Sequence, residues 1–153
     1  MANTYTQLYT QFVFSVKGRE NLIKESFRDE LEKIMCGIIK NHKCKAFAIY
    51  CNPDHTHVLI GMHPAMSPAK IMEQVKSGSS KWLNEKRYVM GKFSWQDGYG
   101  AFTYSKSQID KVVKYIENQR EHHKKQTFRE EYLAFLKEFD IDYDSRYLFE
   151  YYE

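Results

Sequence analysis

Two short runs, Cys44-Lys-Ala-Phe-Ala-Ile-Tyr-Cys51 and His55-Thr-His-Val-Leu-Ile-Gly-Met-His63, flank the cluster Asn52-Pro53-Asp54. Both runs are apolar, aromatic or β-branched, and Asn-Pro-Asp is turn chemistry, so the pair reads as a β-hairpin. Working outward, Thr6 to Val16 predicts a strand that Lys17-Gly18-Arg19 ends. From Asn21 to about Asn41, Leu22, Ile23, Phe27, Leu31, Ile34, Met35 and Ile38 recur at helical spacing. Downstream, Ser67-Pro68 reads as an N-cap followed by proline at the first helical position. That helix is expected to run to about Glu85, with Gly78 as a candidate kink. Phe93 to Tyr104 predicts a last strand and its approach, Ser107 opens a helix to about Lys125, and Thr127 opens another to about Glu138. Strand, helix, strand, strand, helix, strand is the split βαβ order of an α+β, ferredoxin-like fold. It predicts one antiparallel sheet with helices on one face, plus C-terminal helices.

The chain has 153 residues with 42% hydrophobic and 16% aromatic side chains, and only 7 Gly and 3 Pro. These values exclude a disordered chain and describe a single domain, 1–153, with a core at about 6–125 and a C-terminal helix and acidic tail at 126–153. The cysteines, Cys36, Cys44 and Cys51, form no CxxC pair and are odd in number, as expected of reduced thiols in a cytoplasmic protein. The first residues lack the basic and apolar regions of a signal peptide, and no apolar run approaches membrane-spanning length, so no membrane partner is expected.

The net charge of +3 hides an uneven distribution: residues 1–69 carry +2, residues 70–125 carry +6 and residues 126–153 carry −5. A basic middle attracts polyanions, whose phosphates release counterions on meeting Lys and Arg, although a solvated helix surface looks the same. Lys76, Ser77, Ser79, Ser80 and Lys81 around Gly78, with Lys111 and Lys114 further on, are the candidate nucleic-acid contacts. Trp95, Tyr99 and Phe102 are candidate stacking residues or core.

Chemistry concentrates in two places. In His55-Thr56-His57, side chains at i and i+2 of a strand face the same way, with Cα atoms roughly 6.5 Å apart, so both imidazoles can converge on one ion. On the helix after Ser107, Ile109, Val112, Val113 and Ile116 form the core-facing stripe, whereas Gln108, Tyr115, Gln119 and His122 share another. Tyr115 and Gln119 are therefore neighbours on one face. If this helix packs beside the third strand, of its own subunit or a partner's, Gln119 supplies a third ligand and Tyr115 faces the open coordination positions. Cys51 with His55 and His57 is the competing zinc reading, which lacks an evident fourth ligand.

His-x-His on a strand, the basic middle, Trp95-Gln-Asp-Gly-Tyr-Gly-Ala-Phe102 and Tyr115-Ile-Glu-Asn-Gln119 together resemble the single-tyrosine HUH transposases of bacterial insertion sequences and their REP-associated relatives. The resemblance implies that His55, His57 and Gln119 bind Mg²⁺ or Mn²⁺ and that Tyr115 attacks single-stranded DNA. It also implies a homodimer acting at hairpin-bearing element ends, cytoplasmic and nucleoid-associated when bound to DNA. The position between the histidines is usually bulky and apolar in that family. Here it is Thr56, whose hydroxyl then needs a partner. The expected reaction is cleavage and rejoining of single-stranded DNA through a 5′-phosphotyrosine. The alternatives are a replication-initiator-like HUH nickase and a non-catalytic single-stranded DNA or RNA binding module.

Overall fold

The hairpin is present and carries the sheet. In the computed structural model, which describes residues 4–143 apart from the His122 side chain, β2 (Lys45–Cys51) and β3 (His55–Gly61) are joined at Asn52-Pro53-Asp54, where Asn52 N–H donates to the His55 carbonyl at 2.7 Å. β1 (Tyr9–Ser15) pairs antiparallel with β3, aligning Val13 with His57 and Ser15 with His55. β4 (Gly100–Tyr104) pairs antiparallel with β1, giving the order β2-β3-β1-β4. This is the sheet of the split βαβ arrangement, with non-consecutive strands interleaved. The last strand is shorter than the 93–104 run predicts. Trp95 meets Val16 in an isolated bridge, and Gly98, at φ +87, turns the chain before β4 begins.

The first helices cover one face of the sheet. α1 (Glu25–Asn41) buries Phe27, Leu31, Met35 and Ile39, and α2 (Pro68–Lys86) buries Ile71, Met72, Val75, Ser79 and Leu83. Both pack on the face made by Phe12, Phe14, Val58 and Ile60. Ser67 caps α2 by accepting from Lys70 N–H, and Pro68 opens it. α2 continues unbroken through Gly78, where a Cβ would lie 2.5 Å from Ile38 Cδ1. The glycine thus serves a close helix–helix approach rather than a kink.

The second face is also covered, which differs from the one-sided arrangement expected. Ser105 begins the descent with a capping box on Gln108, and α3 (Ile109–Glu117) lays Ile109, Val112 and Ile116 on Ala48 and Leu59. Asn118, at φ −101 and ψ 21, breaks the helix expected to reach Lys125, and α4 (Gln119–His122) follows. α5 (Phe128–Glu138) starts at Thr127, whose hydroxyl accepts from Glu130 N–H, and packs Phe128, Phe135 and Leu136 beside Val13 and Phe102. Each of these side chains contributes about 1.5–3 kcal/mol on burial, enough to seat α5 over the sheet. Of the acidic tail, whose Phe139, Tyr143, Tyr147 and Phe149 read in the sequence as docking residues, Tyr147 and Phe149 lie outside the described residues.

Candidate active site

Strand alternation sends His55 and His57 to the face that α3, α4 and α5 cover, and sends Cys51 and Thr56 to the opposite one. The Cys51 thiol contacts Met35 Sδ at 3.9 Å in that other core, so the Cys51-His55-His57 zinc reading is wrong. Thr56 is fully buried, and its hydroxyl has no hydrogen-bond partner among the described residues, contrary to expectation.

Both imidazoles are oriented from behind. His55 Nδ1 lies 2.7 Å from Asp54 Oδ1 and His57 Nδ1 lies 2.8 Å from Gln11 Oε1, while the Gln11 amide nitrogen donates to the Tyr104 hydroxyl at 2.8 Å. These acceptors hold each Nδ1 and leave each Nε2 facing inward, the orientation typical of metal-ligating histidine. Tyr115 and Gln119 arrive within the same chain. Gln119 is fully buried; its Oε1 accepts from Asn52 Nδ2 at 3.2 Å and its Nε2 donates to the Tyr115 carbonyl at 3.3 Å. The four residues singled out by the sequence are therefore brought together.

Two side chains that sequence reading missed complete the centre. His123 Nε2 lies 3.2 Å from His55 Nε2 and 2.9 Å from Gln119 Oε1. Glu131, on α5, is 2% exposed and places Oε1 2.9 Å from His57 Nε2 and 3.2 Å from His123 Nε2. Its Oε2 accepts from the Tyr115 hydroxyl and, at 3.3 Å, from Gln119 Nε2. The ligand atoms of His55, His57, His123 and Glu131 all lie within 4.8 Å of one another. The sequence signal for His123 was its place four residues after Gln119; Glu131 had none, being one of eight acids in the tail.

Burial and mutual contact set the charges. Burial alone would raise the Glu131 carboxyl, but His57 and the hydrogen bonds from His123, His55 and His57 hold it well below the carboxylate range. Burial pushes His57 down despite Glu131. His123 loses by burial but gains more from Glu131, so it is raised. Burial and the adjacent Glu131 push the Tyr115 phenol well up. In this state Tyr115 is a protonated donor, and a cation is what the site needs to make its phenolate accessible. The donor set, imidazole nitrogens with amide and carboxylate oxygens, fits a divalent ion.

The remaining candidates divide. Ser77, Ser80 and Lys81 line an open depression beside α2, together with Lys17 and Lys92. Lys76 lies there too, but its ammonium donates to the Gln96 carbonyl at 2.9 Å and to that of Gly98, fastening the loop before β4. Ser79 is a correction: it is fully buried, donates to the Val75 carbonyl at 2.6 Å and accepts from Trp95 Nε1 at 2.9 Å, so its hydroxyl cannot reach DNA. Trp95 and Phe102 are likewise core, while Tyr99 is 37% exposed. Lys111 is exposed at the rim of a 390 Å³ cavity reaching Tyr115, and Lys114 is exposed on α3.

Known proteins share the fold and family of this chain. The chain is 23% identical over 120 residues to the ISDra2 transposase TnpA of Deinococcus radiodurans, covering 75% of this chain and 86% of that one. The fold matches a crystal structure from Deinococcus radiodurans R1, described as a candidate transposase, with a TM-score of 0.62 and 21% identity over 78% of this chain and 95% of that one. It also matches a REP-associated tyrosine transposase solved bound to a REP hairpin, with a TM-score of 0.61 and 12% identity over 80% and 73% of the two chains. Residues 4–119 match the family described as "Transposase IS200 like". With most of its length inside that match and its tyrosine beside a paired-histidine strand, the chain belongs to the IS200-like transposases and is a single-tyrosine HUH transposase.

Proposed function

We propose that this transposase cleaves and rejoins single-stranded DNA at hairpin-bearing ends through a covalent bond between Tyr115 and a 5′-phosphate. The observation that carries the reading is the convergence, within one chain, of the Tyr115 hydroxyl with His55, His57 and Gln119. His55, His57 and Gln119 would hold a divalent cation, Mg²⁺ or Mn²⁺ being what the family resemblance implies, which when bound would supply Lewis-acid polarisation of the scissile phosphate and help align it for attack.

This chain's residues do the rest. Asp54 and Gln11 keep the imidazole Nε2 atoms turned inward, and Asn52 holds the Gln119 amide oxygen. The Tyr115 oxygen attacks phosphorus as its proton is lost to water; Glu131 Oε2, which accepts the Tyr115 hydrogen bond, positions the hydroxyl but is too weak a base to keep the proton. The P–O3′ bond breaks, the 3′ oxygen leaves and takes up a proton, and the phosphodiester becomes a 5′-phosphotyrosine. A 3′-hydroxyl attacking that linkage reverses the step and joins a strand without ATP. Lys81, Ser77 and Ser80, with Lys111 and Lys114 nearer Tyr115, meet the phosphates; Lys76 keeps its place as the clamp on the loop. The DNA partner accords with a cytoplasmic, nucleoid-associated location, and among the described residues no helix is long and apolar enough to cross a membrane. A homodimer is not needed to complete the site.

Incubation of an end-labelled hairpin oligonucleotide with Mn²⁺ tests the reading. Cleaved and rejoined products are expected, abolished by EDTA and restored by excess Mn²⁺. Cleavage unaffected by EDTA would remove the cation from the account.

A further inference from the structure

The family match stops at residue 119, yet two of the innermost side chains come from beyond it. We propose that His123 and Glu131 are direct cation ligands, so that His55, His57, His123 and Glu131 form a four-donor cage selective for a transition metal ion over Mg²⁺. The inference deepens the proposed function, on whose cation it rests.

Three observations support it. Four of the six edges of the cluster are close to what one ion needs: His57 Nε2 to Glu131 Oε1 is 2.9 Å, His123 Nε2 to Glu131 Oε1 is 3.2 Å, His55 Nε2 to His123 Nε2 is 3.2 Å and His55 Nε2 to Glu131 Oε1 is 3.5 Å, and the other two are within 4.8 Å. A tetrahedral ion with ligands at about 2.0–2.2 Å imposes edges of about 3.4 Å. Second, all three imidazoles are tethered alike. Asp54 carboxylate takes Nδ1 of His55, Gln11 amide oxygen takes Nδ1 of His57, and the Gln126 carbonyl lies 2.9 Å from Nδ1 of His123. Each Nε2 is thereby turned to one centre, the outer arrangement by which metal-binding histidines are held. Third, Glu131 is 2% exposed, and a buried carboxylate among three imidazoles is the charge a dication would neutralise.

Three imidazoles and one carboxylate favour Zn²⁺, Co²⁺ or Mn²⁺ over Mg²⁺, which prefers six oxygen ligands. Gln119 Oε1 stands 2.9 Å from His123 Nε2, and such ions expand to five-coordination, which leaves room for an added oxygen.

The test is Co²⁺ titration of the metal-free full chain without DNA. Intense visible bands of tetrahedral Co²⁺ are expected at one equivalent, displaced by Zn²⁺ but not by millimolar Mg²⁺. His123→Asn and Glu131→Gln should each weaken binding by more than the roughly 10- to 100-fold that loss of an outer-shell partner costs, with circular dichroism checking the fold. If either variant fails to fold, X-ray absorption of the Zn²⁺-loaded wild type decides: three imidazoles are expected, and two would overturn the proposal. A weak octahedral spectrum, or variants that bind as wild type does, would overturn it as well. A chain that gives these bands but no DNA adduct would sink the proposed reaction and leave the cage standing. An adduct-forming chain with a two-imidazole ion would do the reverse.

Discussion

His57 is fully buried, with Gln11 on one ring nitrogen and Glu131 on the other, and its neighbour Glu131 is a carboxylate surrounded by donors. Their shifts predict acid sensitivity in the metal-free protein. A histidine pushed below its ordinary 6.5 and a carboxylate held below its ordinary 4.5 both stabilise the fold above those values and lose that contribution as pH falls through the shifted ones. His123, raised, acts oppositely: its contribution is complete below 6.5 and is lost as pH rises through its folded value. The urea midpoint in EDTA should therefore drop as pH falls from 6.5 toward 4, and a flat profile would contradict the assignment. Ser79 makes a second case at this scale. In Ser79→Ala the buried Trp95 N–H loses its acceptor, at a cost of about 1–3 kcal/mol, while DNA affinity stays unchanged. A denaturation curve and a binding curve together check this, and weakened binding without loss of stability would reinstate Ser79 as a contact.

At the scale of elements, α5 decides what the site contains. Gly100 on β4 makes its seat: a Cβ there would lie 2.8 Å from the Tyr132 hydroxyl and 2.9 Å from Phe102 Cε2. Gly100→Val should overpack this contact by about 1–3 kcal/mol and lower the hydrogen-exchange protection of residues 128–138. Full protection would contradict the role given to Gly100. The hairpin, the histidine pair and the Tyr115–Gln119 spacing were legible in the sequence because strand alternation and one helical turn are local rules. Ser79 was legible too, since Val75, Ser79 and Leu83 share one buried line of α2, but the Lys-Ser-Gly-Ser-Ser-Lys run drew the reading to phosphate instead. His123 was hidden by the break at Asn118, which resets the helical phase that pointed to His122. Glu131 was hidden because its position depends on α5 folding back over the second face of the sheet, which no periodicity announces.

Over the whole molecule, one chain supplies both the imidazoles and the phenol, so each protomer is expected to act with its own tyrosine. Mixing Tyr115→Phe with His57→Ala protein should restore no cleavage, whatever the oligomeric state found by sedimentation. Activity recovered on mixing would show exchange of the tyrosine helix between subunits. The charge pattern is compatible with the same picture: the net positive residues 70–125 include Lys81, Lys111 and Lys114, and the negative charge of residues 126–153 begins at α5, whose Glu131 enters the imidazole cluster. The central claim is that Tyr115 is the atom source of the covalent bond. Mass spectrometry of the denaturation-resistant adduct formed with a hairpin oligonucleotide should locate a 5′-phosphotyrosine on the peptide containing Tyr115 and find none in Tyr115→Phe; an adduct mapped to any other residue, or surviving that substitution, would contradict it.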